Sequence, residues 1–220
     1  SMLKKVQSSP ILSRVVPFAA FALLTLFQGQ FGENSQYWIY ALKTGIGAWL
    51  LWLVRPYVKE MRWKFSWEAV VIGVVIFLIW IGLDGFYPML AKRSGSFDPN
   101  AAYGTGSALA VFFIAVRIVG SSLVVPPLEE VFYRSFIYRY IQKPDFLSVP
   151  LSYFHWKAFL VTGIIFGAAH YEWIQGILCA FAYQGLVIRK NRLGDAICAH
   201  AITNFLLGVY VVARGAYIFW

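Results

Sequence analysis

Residues 125–139 read VPPLEEVFYRSFIYR, and the rest of the chain is organised around them. Two adjacent carboxylates, Glu129 and Glu130, lie here in a chain that is otherwise strongly apolar. In a helix, Glu130 and Arg134 are four residues apart on one face and can pair, whereas Glu129 points about 100° away. The sequence therefore predicts one neutralised acid and one free acid. An ionisable group at membrane depth is a candidate functional site.

Pro126 and Pro127 directly precede the two acids. Neither proline has a backbone N–H, so a helix that arrives from the N-terminal side is expected to break or kink there. Proline is well tolerated in the first turn of a helix, which predicts that the acids begin a fresh turn. Irregular backbone at membrane depth lines a cavity. The sequence thus predicts a Pro-broken helix that carries the acidic motif into a cavity.

The composition indicates a membrane protein. Of the 220 residues, 60% are hydrophobic and 13% are charged, about half the charged share of a soluble domain. The mean hydropathy is +0.64, and the apolar residues fall in long runs. The fold class predicted is all-α, a polytopic transmembrane helical bundle of about seven to eight spans. The net charge of +9 does not indicate a nucleic-acid partner, because the basic residues flank the apolar runs.

Seven spans account for the apolar runs, with the acidic motif in the fourth. Their predicted bounds are 12–29, 36–54, 67–88, 105–142, 156–171, 173–189 and 193–213. The basic residues in the loops and near the span ends then divide thirteen to three between the two sides, with Lys43, Arg117 and Arg134 left within spans. This bias predicts a cytoplasmic N-terminus. A polar loop over residues 93–105 predicts a division into an N-terminal three-span part, 1–105, and a catalytic membrane region, 106–220.

Three further polar side chains lie in predicted spans downstream: His170, His200 and Asn204. Peptide hydrolysis needs an activated water, a group that accepts and returns its proton, and a donor to the oxyanion. With Glu129, these residues are groups of those kinds. Two imidazoles and a carboxylate are also a ligand set for a divalent metal such as zinc. The residues leave both routes open: glutamate-activated water without a cofactor, or a metal held by Glu129, His170 and His200.

The two histidines are predicted to lie at different depths in the membrane. His200 is about eight residues into its span from the predicted cytoplasmic end, whereas His170 is close to the far end of its own. A tilt, or an indentation of the chain at 171–173, is needed to bring the imidazoles to one level. Gly163 and Gly167 favour the close helix approach that this requires.

Two basic residues also lie within spans. Lys43 is expected to extend its ammonium towards the interface or to pair with another group. Arg117 has two interpretations of equal weight: it offsets the charge of Glu129, or it pairs with Asp84 as a structural bridge.

The ordered motifs resemble those of the CAAX protease and bacteriocin-processing (CPBP, or Abi) family of intramembrane proteases, which includes the type II CAAX prenyl endopeptidases. The resemblance covers residues 106–210. It is carried by Glu129-Glu130-x-x-x-Arg134, Phe166-x-x-x-His170 and His200-x-x-x-Asn204, in that order.

The resemblance implies roles for these residues. Glu129 would activate water with His170, while His200 and Asn204 would stabilise the oxyanion or hold the water. Glu130, Arg134 and Phe166 would be supporting residues. The resemblance does not decide whether a metal takes part, and it implies a multi-pass protein of the bacterial inner membrane.

The sequence thus predicts an intramembrane endopeptidase that cleaves a peptide bond in or near the bilayer. Its partners would be membrane lipids and a peptide or protein substrate with a hydrophobic or lipidated segment, including CAAX-like C-termini. Two alternatives stay open: a proton- or ion-coupled transporter, in which the same polar residues form an ion path, and a catalytically silent immunity or binding protein on the same scaffold. Nothing in the sequence fixes the oligomeric state.

Overall fold

The computed structural model describes residues 2–91 and 97–220, and the part of the chain it describes is all-helical. Each predicted span coincides with a helix, and residues 93–96 of the predicted polar loop lie outside the described residues. The helices are α1 (Met2–Ser8), α2 (Leu12–Thr25), α3 (Ser35–Val54), α4 (Trp67–Gly82), α5 (Pro99–Tyr103), α6 (Ala108–Tyr140), α7 (Trp156–Ala168), α8 (Trp173–Lys190) and α9 (Gly194–Arg214). Short 3₁₀ turns occupy Phe146–Ser148 and Tyr217–Phe219.

Within the described residues, α6 and α9 are long and apolar enough to cross a membrane. The pair α1 and α2, bent by 119°, is a third candidate if it counts as one span, and α4 and α7 are shorter apolar helices. The chain is therefore an integral membrane protein with transmembrane helices. The count of seven to eight spans, the division at residue 105 and the cytoplasmic N-terminus stay predictions.

The predicted break at the two prolines is wrong, because α6 is continuous from Ala108 to Tyr140. Two π-helical segments within it, Gly120–Val124 and Val131–Ile137, flank the α-helical turn Val125–Glu130 that holds the prolines and both acids. A π turn shifts the backbone hydrogen bonds by one residue, so that Val125 donates to Gly120, five residues back. The wider turn lets the chain pass the prolines without ending the helix.

The sequence also specifies several helix starts. Ser66 and Ser107 each precede a helix and accept a hydrogen bond from the backbone N–H three residues on, at Ala69 and Ala110. Such caps satisfy backbone donors that the first turn leaves free. They set where α4 and the long α6 begin.

Polar contacts join neighbouring segments at the ends of the helices. At one end, Arg14 pairs with Glu60 of the loop after α3 at 2.7 Å, and Lys190 pairs with Glu68 at 2.7 Å. At the other end, Tyr37 donates to the Asp98 carbonyl at 2.9 Å.

Glycines allow the closest helix contacts. A Cβ on Gly73 of α4 would lie 2.8 Å from the Ala199 carbonyl oxygen of α9. On α7, a Cβ on Gly163 or Gly167 would lie 2.4 Å from Phe181 or Ile177 of α8. The close approach predicted for α7 is therefore present. These contacts hold α4 against α9 and α7 against α8, and α9 also packs on the acidic turn of α6.

Candidate active site

The acidic turn of α6 contains an ion pair that the helical spacing predicts. Glu130 Oε2 lies 3.2 Å from Arg134 Nε, and both side chains are fully buried. The contact is an ion pair without a hydrogen bond, because neither Glu130 Oε2 nor any guanidinium nitrogen of Arg134 has a hydrogen-bond partner among the described residues. The guanidinium carbon lies 4.5 Å from the centre of the Phe166 ring. Arg134 thus supplies charge and aromatic packing at the base of the site.

Glu130 has a second contact that the sequence did not indicate. Its Oε1 lies 2.9 Å from Nδ1 of His200, which is 70 residues away in sequence. Because an ionised carboxylate can only accept, Nδ1 of His200 carries the proton and donates. This hydrogen bond fixes the ring of His200 and, in its neutral form, leaves Nε2 as an acceptor.

Glu129 lies on the other side of the same imidazole. Its Oε2 is 3.9 Å from Nε2 of His200 and has no hydrogen-bond partner among the described residues. The side chain is 18% exposed, in contrast to the fully buried Glu130. The gap of 3.9 Å is too long for a direct hydrogen bond and suits a bridging water. The predicted contrast between a paired acid and a free acid is therefore present.

His170 lies in the turn just after α7. Its Nδ1 is 2.7 Å from the Phe166 carbonyl oxygen and donates a hydrogen bond to it. In the neutral ring, Nε2 then carries no proton and can accept a hydrogen bond. The centre of the Phe166 ring lies 4.6 Å from that of His170 and 6.4 Å from that of His200. The turn after the short α7 therefore brings both imidazoles to the same aromatic ring. Among the described contacts, the carboxylate of Glu129 lies near the imidazole of His200, and none joins it to the imidazole of His170.

Asn204 is one helical turn beyond His200 on α9. Its Nδ2 donates to the backbone carbonyl oxygen of Ser121 at 2.7 Å. That carbonyl needs a side-chain donor, because Val125 donates to Gly120 and the next residue, Pro126, has no N–H. Asn204 thus binds the π-helical turn that precedes the acids, and its second amide N–H stays available to a ligand.

The sequence left open a metal-dependent mechanism, but the described residues do not form a ligand set for a metal ion. Among residues 2–91 and 97–220, no group of three or more His, Cys, Asp or Glu side chains is arranged to hold a metal ion. Nδ1 of each site histidine is hydrogen-bonded, to Glu130 for His200 and to the Phe166 carbonyl for His170, which leaves both Nε2 atoms open, as they also are in metal-binding histidines. It is the placement of Glu129, His170 and His200 relative to one another, and not these hydrogen bonds, that does not form a metal-ligand set.

Arg117 packs against an aromatic ring, and its guanidinium carbon lies 4.4 Å from the centre of the Tyr40 ring. Its balance with Glu129 and its bridge to Asp84 stay predictions. Lys43 is buried beside the same ring and donates to Thr25 Oγ1 at 2.8 Å, so it pairs with another group, which is one of its two predicted outcomes.

The match to known proteins covers the part of the chain that holds this site. Residues 110–206 match the Rce1-like family of type II CAAX prenyl endopeptidases. The Rce1-like region contains every residue named in the three sequence motifs, so the predicted resemblance is confirmed. The match supports a protease, and hence hydrolase, role in the membrane. No curated protein and no solved structure matches the chain.

The sequence missed two features of the Rce1-like region. The contact between Glu130 and His200 joins residues of separate helices, which no local spacing indicates. The bond from Asn204 to Ser121 had a signal, since Pro126 and Pro127 leave nearby carbonyls without donors. That signal does not say which side chain will reach them.

Proposed function

We propose that the protein is an intramembrane endopeptidase that hydrolyses a peptide bond with water activated by Glu129. The observation that carries the proposal is the unpartnered Oε2 of Glu129, 3.9 Å from Nε2 of an imidazole whose other nitrogen is held by Glu130. A carboxylate with a free oxygen and a fixed acceptor opposite it is suited to hold and deprotonate a single water.

The proton path follows from these roles. The bridging water donates one hydrogen to Glu129 and the other to Nε2 of His200. As its oxygen attacks the carbonyl carbon of the scissile bond, Glu129 takes the first proton and the carbonyl oxygen becomes an oxyanion. The free amide N–H of Asn204 donates to that oxyanion. When the C–N bond breaks, protonated Glu129 returns its proton to the leaving amine.

The other motif residues support this arrangement. Glu130 keeps His200 in the tautomer that accepts from water, and Arg134 neutralises Glu130 in its buried position. His170 has one uncommitted nitrogen, and we assign it to the substrate, where it accepts from the N–H of the scissile amide. Glu130 and Arg134 are thus positioning residues, whereas Glu129, His170, His200 and Asn204 contact the reacting groups.

A groove beside the site suits a hydrophobic substrate segment. It has a volume of about 260 Å³ and lies between the first π-helical segment of α6 and the face of α9. It is lined by Ser122, Leu123, Cys198, Ala201, Ile202, Phe205 and Leu206. Leu123 and Phe205 are more than half exposed on the outer surface, so the groove opens sideways towards lipid. A prenyl chain or an apolar residue could enter there from the bilayer.

The test is cleavage of a fluorogenic peptide with an S-farnesyl cysteine near its C-terminus, in detergent micelles or liposomes. Glu129→Gln is isosteric but cannot accept the proton, and we expect kcat to fall by about 10²–10⁴-fold. Glu33→Gln makes the same change at an exposed position between α2 and α3 and should leave kcat unchanged. Cleavage retained in folded Glu129→Gln protein would remove Glu129 as the base.

Elemental analysis checks the same scheme without a substrate. Because the site residues do not form a metal-ligand set, we expect less than one equivalent of divalent metal per purified chain. About one equivalent in the wild type, lost when His170 and His200 are both changed to Ala, would contradict the scheme and assign both imidazoles to a metal.

A further inference from the structure

The loop between α3 and α4 ends in a short segment that alternates cations and aromatic rings. Residues 62–67 read RWKFSW, and we call them the basic strap. Every side chain of the basic strap except that of Ser66 is exposed: Arg62, Trp63, Lys64, Phe65 and Trp67. Three large rings in a row at the surface mark a place of interaction.

The fold holds the basic strap against the start of a membrane-spanning helix. α9 begins at Gly194 and is one of the two helices of the described residues that are long and apolar enough to cross a membrane. A Cβ on Gly194 would lie 2.7 Å from the backbone nitrogen of Lys64, so the two backbones touch. With 21 residues, α9 is about 32 Å long, close to the thickness of the hydrocarbon core. The basic strap therefore lies at the level of the lipid headgroups.

The acids at this end of the bundle are occupied by other cations. Three pairs account for them: Glu60 with Arg14, Glu68 with Lys190 and Asp195 with Arg192. Among the described residues no ion pair involves Arg62 or Lys64, and residues 1 and 92–96 include no acid. Arg55 and Lys59 of the same loop are also exposed and unpaired in this part of the chain. The loop thus presents four positive charges without a counter-ion, which favours an anionic partner.

We infer that the basic strap binds the headgroups of anionic phospholipids in the bilayer around the protein. A cation at the membrane surface attracts an anionic headgroup, and tryptophan rings lie at the same level. A lipid offers both kinds of contact, since its phosphate can face the cations while its glycerol and upper acyl chains meet the rings. A soluble anion would leave the rings bare. Binding at this surface does not require the proposed reaction.

The experiment titrates the purified protein in detergent with dioleoylphosphatidylglycerol, which is anionic, or with dioleoylphosphatidylcholine, which has the same acyl chains and no net charge. Native mass spectrometry resolves the bound lipids and gives a Kd for each. We expect the wild type to bind the anionic lipid about 10- to 30-fold more tightly, the effect of two cations near an anionic headgroup. In the double variant Arg62→Gln, Lys64→Gln this ratio should fall to about 1–3.

A matched control removes the same charge elsewhere. Lys143→Gln, Arg214→Gln changes two exposed cations outside the basic strap and should keep the preference for the anionic lipid. If this control loses the preference as fully as the strap variant, the net charge of the protein selects the lipid and the inference is wrong. It is also wrong if the wild type binds both lipids equally.

The aromatic rings distinguish a lipid from a free anion. Trp63→Ser, Phe65→Ser should weaken the binding of both lipids by a similar factor and leave their ratio unchanged, because the rings contact the part that the two lipids share. If this variant binds both lipids as the wild type does, or if inorganic phosphate displaces the anionic lipid, the cations bind a free anion and the assignment to the bilayer is wrong.

Thermal unfolding shows whether the lipid bound at the basic strap stabilises the fold. At ten times its Kd, dioleoylphosphatidylglycerol should raise the thermal midpoint of the wild type by about 3–6 °C, whereas the same concentration of inorganic phosphate should not. The strap variant should fold, because Arg62 and Lys64 are exposed. Its midpoint without lipid should match that of the wild type and should not rise with the lipid. An equal rise in the strap variant would assign the stabilising lipid to another surface and overturn the inference.

Discussion

Glu129 is part of α6 and Glu60 binds to α6 from a loop, and the two carboxylates have opposite surroundings. Glu60, at the charged end of the bundle, has both oxygens bonded: Arg14 Nε lies 2.7 Å from Oε1 and Arg14 Nη2 lies 3.0 Å from Oε2. The hydroxyl of Ser135 on α6 donates to it as well, and Arg139 Nη2 lies 3.5 Å from Oε1. Glu129, less than two helical turns before Ser135, keeps one oxygen without a partner.

The contrast shows how one residue type can act in two ways. A carboxylate whose lone pairs are all occupied stabilises the helices that supply its donors and has nothing left for a substrate. A carboxylate with a free oxygen contributes little to stability and can accept a proton. Bonding of both oxygens by charged donors, rather than burial alone, separates Glu60 from Glu129, the acid to which the proposed function assigns the proton transfer.

The largest effect on stability is expected from Arg134→Met. It leaves Glu130 buried without its cation, a loss that typically costs about 3–5 kcal/mol. We expect a lower thermal midpoint in detergent, and a partial recovery in the Arg134→Met, Glu130→Gln double variant, which removes the stranded charge. If activity vanished while the midpoint stayed unchanged, Arg134 would act on the substrate and not as a counter-ion.

Glu60→Gln is expected to have the next largest effect. It weakens hydrogen bonds to charged partners that join α2, the loop after α3 and α6, and such bonds contribute about 1.5–3 kcal/mol each. The midpoint should fall while kcat is retained, whereas Glu129→Gln should lose kcat and retain the midpoint. If both variants lost stability equally, the contrast between the two glutamates would be wrong.

The pH dependence of stability tests the same cluster. Burial alone raises the pKa of Glu60, but hydrogen bonds from Arg14 and Ser135 outweigh it, so the pKa of this carboxyl lies below its ordinary value of 4.5. A group with a lowered pKa stabilises the fold fully above its unfolded pKa, and this contribution is lost as the pH falls through the folded value. The gap between the midpoints of wild type and Glu60→Gln should therefore be constant above about pH 5 and should narrow on acidification. A gap that widened towards acid would contradict this linkage.

Local patterns predicted most of the helices and the ion pair of the acidic turn. The pair of Glu130 and Arg134 follows from helical spacing, and the seven predicted apolar runs each coincide with a helix. The helix break at Pro126 was wrong because π-helical turns provide a way past a proline that the sequence does not reveal. The ion pair of Glu60 was not predicted, because its partner Arg14 is 46 residues away and no motif surrounds Glu60. Contacts between distant segments depend on packing, which spacing does not encode.

The smallest effect on stability is expected at Asn204. Its side chain holds the Ser121 carbonyl and, in the proposed reaction, also donates to the oxyanion. Asn204→Ala removes the donor to the Ser121 carbonyl and should cost about 1 kcal/mol of stability, together with the oxyanion contact. Adding Pro126→Ala restores a backbone N–H five residues after Ser121, the donor that the π-helical register requires. The double variant should regain the thermal midpoint and stay impaired in kcat, because the new N–H replaces only the structural bond. If kcat returned with the midpoint, Asn204 would act solely by holding the helix in place beside Glu129. If neither returned, the missing N–H of Pro126 would not be the reason that Ser121 needs Asn204.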